Sequence, residues 1–179
     1  MMKPEGNVLD ISNVKLVLCD YDDTACIHMH LGKSRPTHSQ YLLACAQRLE
    51  DYYINTCPCI PNLSLKWFLS NYLKDADTRI LTCSEEEGLI DARYAFLRKY
   101  YDNMFSIVHI VPKREQKLGL AIKLCEQTEI PKNEALLIED HPTTLHEFSE
   151  EGFLKISTGE ISALYLEHLM NVKECVTRC

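Results

Sequence analysis

Apolar and polar positions fall into blocks whose period switches from strand-like to helix-like and back along the chain. Val14, Leu16, Val17, Leu18 and Cys19 form a nearly continuous apolar run, the pattern of a parallel strand buried on both faces. Residues 25 to 61 are irregular at both ends, with Gly32, Pro36, Pro58 and Pro61 as breakers around a helical stretch expected from about Thr37 to Tyr53. Asn62 stands where it can cap a helix carrying Leu65, Phe68, Leu69 and Tyr72, and a short strand from Thr78 to Thr82 follows. Ser84 with Glu87 makes a capping-box pattern ahead of the helical stripe Ile90, Tyr94, Leu97 and Tyr101. A third strand is expected over Ser106 to Val111. The next helix, from about Arg114 to Gln127, sets Leu118, Ala121, Ile122 and Cys125 on one face and ends at the turn Ile130-Pro131-Lys132-Asn133. Ala135 to Ile138 reads as a fourth buried strand, and a short helix from Pro142 stops near Gly152. The strand Phe153 to Ile156 and a last helix with Ile161, Leu164, Tyr165 and Leu169 complete the order. Strands alternating with helices predict an α/β fold: a Rossmann-like three-layer sandwich with a mainly parallel sheet and a short insertion after the first strand. We read residues 1–179 as one domain, with 25–61 as a small flap or cap inserted in it.

Composition narrows the class. A chain of 179 residues, 46% hydrophobic and 25% charged, suits one soluble domain with a proper core. The net charge of -7 argues against nucleic acid as a default partner, leaving Lys113, Arg114 and Lys117 as a local basic exception. The N-terminal segment has no apolar core of signal-peptide length and no stretch is long enough to span a bilayer, so no membrane association and a cytoplasmic location are expected. Nine cysteines is a high but odd number, and Cys19, Cys45, Cys83 and Cys125 fall inside predicted elements, as reduced buried thiols would. Cys26, His28 and His30, together with Cys57 and Cys59, lack the usual paired spacing of a structural zinc site and read as flap residues and buried thiols, the two histidines on a solvated flap. Trp67 is read as core, and Cys175 and Cys179 as unpaired tail residues.

The chemistry is concentrated where apolar runs stop. The first strand ends at Asp20, Asp22 and Asp23, at the carboxyl end where open α/β sheets bind ligands. Two carboxylates about 4 Å apart repel by roughly 1 kcal/mol even in water, and by more in a crevice. A divalent cation, a phosphate reaction or both would offset that repulsion. The fourth strand likewise stops at acids, Glu139 and Asp140.

Four separated motifs in order, over Val14 to Thr158, resemble the haloacid dehalogenase-like (HAD) superfamily of Mg-dependent phosphohydrolases, in a small-cap or capless form. The Asp-x-Asp-x-Thr motif is matched by Asp20, Asp22 and Thr24, the second by Thr82 in ILTCS, and the last by Glu139 and Asp140. Two lysines compete for the third motif. Lys117 opens the run KLGLAIKLCEQTEIPKNEALLIED, which matches the family's order of Lys, helix, Ile-Pro turn, strand and Asp, whereas Lys113 sits in a Pro-containing turn. Lys117 is the better match.

The resemblance implies roles. Asp20 would be the nucleophile that forms an aspartyl-phosphate, and Asp22 would protonate the leaving oxygen and then activate water. Thr82, Cys83 and Lys117 would contact the substrate phosphate. Asp20, the Asp22 carbonyl and Asp140 would coordinate Mg²⁺, an oxygen-only set suited to a hard ion. An acid at position 22 favours phosphoester over halide chemistry, since a halide leaves without a proton. Asp23 is equally well read as a cap on its own loop. The last motif departs from the usual pattern in having Glu139 before Asp140 and no further acid until Glu147, leaving open which of the pair touches the metal. No large cap fits between Thr82 and Lys117, so the site should be partly open, compatible with a large phosphorylated substrate, a partner or oligomeric closure. The competing reading is a catalytically silent domain that binds a phosphorylated ligand or a protein. A phosphorelay receiver is rejected, because its phosphoacceptor Asp would lie where this chain has His109, Ile110 and Val111.

Overall fold

A computed structural model describes residues 9–29, 38–57, 59–84 and 89–176. Five strands, β1 (Leu16–Cys19), β4 (Asp77–Cys83), β5 (Val108–Val111), β6 (Ala135–Glu139) and β7 (Leu154–Ser157), form a parallel sheet of order β5-β4-β1-β6-β7. The apolar run that marked the first strand is its centre. Val17 and Cys19 pack on one face with Ile80, Leu136 and Ile138, while Leu16 and Leu18 pack on the other with Leu81, Ala135 and Leu137. Successive side chains point to opposite faces, so burial on both sides demands apolar residues at every position.

The first face is covered by α2 (Leu63–Tyr72), α3 (Ile90–Tyr101) and the start of α6 (Thr158–Val176), through Leu65, Phe68, Phe96, Leu97 and Ile161. The second is covered by α4 (Gln116–Thr128) and α5 (Pro142–Glu150), through Ala121, Leu124 and Phe148. Asn62 caps α2 as expected, its side chain accepting from the Leu65 amide at 3.1 Å. Trp67 is half-buried rather than core, set among Tyr72, Tyr165 and His168. Leu164 and Leu169 are exposed on α6. Cys83 is half-buried, whereas Cys19, Cys45 and Cys125 are buried thiols in no disulfide.

The insertion differs from its expectation. It contains a two-stranded antiparallel ribbon, β2 (Cys26–His28) against β3 (Cys59–Pro61), too short for any alternation to reveal. Its helix α1 (His38–Gln47) stops early, and a π-helical turn follows over Tyr52–Thr56. The stop is a Schellman arrangement: the Arg48 amide bonds the Cys45 carbonyl, the Leu49 amide bonds the Ala44 carbonyl, and Arg48 takes φ 49. Glycine usually occupies that left-handed position; an arginine there leaves no visible stop signal. The third strand also starts later than expected, at Val108. The capping-box partner Glu87 lies outside the described residues, as do His30 and Cys179, and α3 begins instead after Leu89.

The insertion is fastened at its root. Tyr101 Oη donates to the Ala25 carbonyl at 2.7 Å and accepts from the Asn62 amide at 3.0 Å, and Asn62 Nδ2 donates to the Thr24 carbonyl at 3.0 Å.

Candidate active site

The register of the central strands builds the site. Cys19 lies level with Ile80 on β4 and Ile138 on β6, so Asp20 emerges beside Glu139 and next to Thr82. The Asp20 amide still bonds the Ile138 carbonyl at 2.9 Å, holding the residue at the strand end. Beyond it the chain folds back tightly: Ala25 and Cys26 amides both donate to the Tyr21 carbonyl, and Asp23 takes φ 53. Asp23 is thus a turn residue, left-handed as Asp tolerates, with Oδ1 accepting from the His28 amide at 3.2 Å.

Asp20, Asp22, Asp23, Thr82, Cys83, Arg114, Glu115, Lys117, Glu139 and Asp140 line a cavity of about 430 Å³ at the carboxyl ends of β1, β4 and β6. Asp20, Asp22, Thr82, Cys83, Lys117 and Asp140 thus line one cavity, whereas Thr24 of the first motif is buried outside its lining. Thr82 is buried at the end of β4, and the Cys83 thiol donates to the Pro112 carbonyl at 3.5 Å.

Lys117, delivered by the first turn of α4, is 2% exposed. Its ammonium lies 2.8 Å from Asp20 Oδ1 and 2.8 Å from Glu139 Oε2, bridging two carboxylates that would otherwise repel. Burial alone would strip its proton; Asp20 and Glu139 overcome that and hold the lysine more firmly protonated than usual. The carboxylates feel the opposite balance. Burial raises Asp20 despite Lys117, and burial followed by the charge of Asp20 pushes Glu139 up to about 8. Glu139 Oε1 also accepts the His141 amide at 3.3 Å.

Asp22 has partners the sequence did not suggest. His28 Nε2 is 3.0 Å from its Oδ1, and Arg93 Nη2 is 3.4 Å from its Oδ2. Burial works to raise Asp22, but the His28 hydrogen bond and the Arg93 charge win and lower it. His28 is correspondingly raised to about 10 by its bond to Asp22 and by Cys57, whose Sγ is 3.5 Å from Nδ1. Its side chain is 13% exposed, so the expected solvated flap residue is instead built into the site. Arg93 is a buried guanidinium, its Cζ 5.1 Å from the centre of the Tyr21 ring. A signal for it existed: position 93 falls between Ile90 and Leu97 at helical spacing, a charge on the apolar face of α3.

The acids suit a hard cation. Asp20, Glu139 and Asp140 each offer an oxygen, and these atoms lie within 4.8 Å of one another; among the described residues they form the metal-competent cluster. Asp20 Oδ1 feels the Lys117 charge but, though buried, accepts no well-directed hydrogen bond. An all-oxygen donor set with a buried oxygen still short of donors fits Mg²⁺. The thiols and His28 of the ribbon form no such cluster.

No protein-family model matches the chain, and no curated protein matches it. Its structure is similar to that of a haloacid dehalogenase-like family hydrolase from Xanthomonas campestris, with TM-score 0.55 at 13% identity over 81% of this chain and 82% of the other. A HAD-superfamily hydrolase of subfamily IA from Geobacter sulfurreducens gives 0.53 at 15% identity, covering 82% of this chain and 87% of that one. A predicted HAD-like family hydrolase from Porphyromonas gingivalis gives 0.52 at 11% identity, covering 88% and 98%. The chain has the HAD-like fold, an α/β Rossmann-like architecture with helices on both faces of a parallel sheet.

Proposed function

We propose that this protein is a Mg²⁺-dependent phosphomonoester hydrolase that works through an aspartyl-phosphate on Asp20. The observation that carries the reading is the convergence of Asp20, Lys117, Glu139 and Asp140 on one cavity, with Asp22 two residues beyond Asp20. Asp20 and Asp140, with Glu139 and the Asp22 carbonyl, would hold the ion, which when bound neutralises charge between the attacking carboxylate and the phosphate.

The chain's own groups account for the remaining steps. An Asp20 carboxylate oxygen attacks phosphorus, the ester P–O bond breaks, and Asp22 passes to the departing alkoxide the proton that charged His28 holds against it. His28 Nε2, hydrogen-bonded to Asp22, keeps a proton within reach of that carboxylate. Asp22 then takes a proton from water as it attacks the aspartyl-phosphate, releasing inorganic phosphate and restoring Asp20. Lys117 and Thr82 fix the phosphoryl oxygens, a positioning and charge-stabilising role that dominates phosphoryl transfer.

The test is phosphate release from an aryl phosphate and a panel of phosphomonoesters, with Mg²⁺ and with chelator. The expected result is metal-dependent turnover that falls by at least about 10³-fold in Asp20→Asn. Turnover that survives this substitution would refute the nucleophile, and none in either protein would favour a binding domain.

A further inference from the structure

The cavity holds a second cation that the proposed chemistry leaves unused. Arg114 precedes Lys117 by three residues in the turn that leads into α4, and the Lys117 amide bonds the Arg114 carbonyl at 2.9 Å. Both line the cavity. Their surroundings differ. Lys117 is buried and committed to Asp20 and Glu139, whereas Arg114 is exposed and its guanidinium makes no hydrogen bond or ion pair among the described residues. Both cations oppose the rise that burial imposes on the Cys83 thiol.

Resting on the phosphatase reading above, we infer that the natural substrate carries a second anionic group, a phosphate or a carboxylate, which Arg114 receives at the mouth while the scissile phosphate sits against Lys117 and Thr82. A guanidinium presents a planar fork that matches either anion with two parallel hydrogen bonds. Both cations line one cavity of about 430 Å³, so the second anion belongs a few bonds from the phosphoryl group. The other exposed charged groups lining the cavity among the described residues, Asp23, Glu115 and Asp140, are acidic. They repel an anion that does not engage the fork, which makes Arg114 a determinant of specificity rather than a general attractant.

Three phosphonates, stable because their C–P bond is not hydrolysed, test this by calorimetric titration of the full chain at fixed free Mg²⁺. Propylphosphonate carries one anion, 3-phosphonopropionate adds a carboxylate, and propane-1,3-diphosphonate adds a second phosphonate. At least one of the two-anion ligands should bind at least tenfold more tightly than propylphosphonate, and the tighter one names the natural second group. Arg114→Gln should bring it within about twofold of propylphosphonate, and Arg114→Lys should keep part of the preference. Equal affinities for all three, or a preference that survives Arg114→Gln, would overturn the inference while leaving the phosphatase reading intact. Failure of every phosphonate to bind would overturn both.

Discussion

Replacing Lys117 with Met keeps the length of the side chain and removes its charge, leaving Asp20 and Glu139 facing each other. Oxygens of the acid cluster lie within 4.8 Å of one another, and at that separation with an effective dielectric near 20 two carboxylates repel by about 3 kcal/mol or more. Removing one partner of a buried ion pair typically costs about 3–5 kcal/mol for the same reason. Without metal and at pH 9, above the value of about 8 to which Glu139 is raised, Lys117→Met should therefore lose about 3–5 kcal/mol of stability, or roughly 6–20 °C in melting temperature for a chain of this size. Urea unfolding followed by circular dichroism and by Trp67 fluorescence reads the loss, since the indole packs against Tyr165 and Tyr72 and reports their separation. Glu139→Gln in the same background should restore about half of it, because one of the two opposed charges is gone. A loss below about 1 kcal/mol, or a double variant no more stable than Lys117→Met, would refute the claim that the lysine exists in part to hold these acids together.

The same network makes His28 a source of pH-dependent stability. Its pKa is raised from 6.5 to about 10 in the folded chain, so its contribution is complete below pH 6.5 and is lost as pH rises toward 10. The stability gap between the native chain and His28→Gln should be widest at pH 6 and should close by pH 10; a gap that widens with pH contradicts the assigned partner. Arg93→Met should lower turnover of alkyl phosphates by roughly 10- to 100-fold more than that of p-nitrophenyl phosphate, because Asp22 loses a group that aims it and poor leaving groups need its proton most. Equal losses on both substrates would reduce Arg93 to a structural residue. Tyr101→Phe should cost about 1–3 kcal/mol in urea unfolding, since the Ala25 carbonyl and the Asn62 amide lose a buried partner together.

The sheet was legible because its strands are buried on both faces, and a strand of that kind leaves a continuous apolar run such as Leu16–Cys19 or Ala135–Ile138. The acids were legible because they interrupt those runs, and Lys117 because a Lys, a helix and an Ile-Pro turn lead from it to Asp140. What stayed hidden was set by contacts between distant segments. Asp22 meets His28 across a fold of the chain that depends on left-handed Asp23, and it meets Arg93 from a helix 71 residues away in sequence. The ribbon of the insertion has strands of three residues, shorter than any periodicity can register. Helix ends followed the same rule: Gly152, at φ 88, announced the end of α5, whereas Arg48 and Glu129 take the same left-handed geometry without glycine's signature.

The latch formed by Tyr101, Asn62, Ala25 and Thr24 gives the insertion the character of an exchangeable cassette. Its two ends are clamped to each other and to α3 before the ribbon begins, so strain introduced by a longer or shorter segment beyond His28 and before Cys57 is absorbed ahead of the sheet. Loop-closure entropy grows slowly with length, each doubling costing only about 0.6 kcal/mol. Changes of length between His28 and Cys57 are thus taken up outside the sheet, leaving the His28 contact to Asp22 and the spacing of the carboxylates in place.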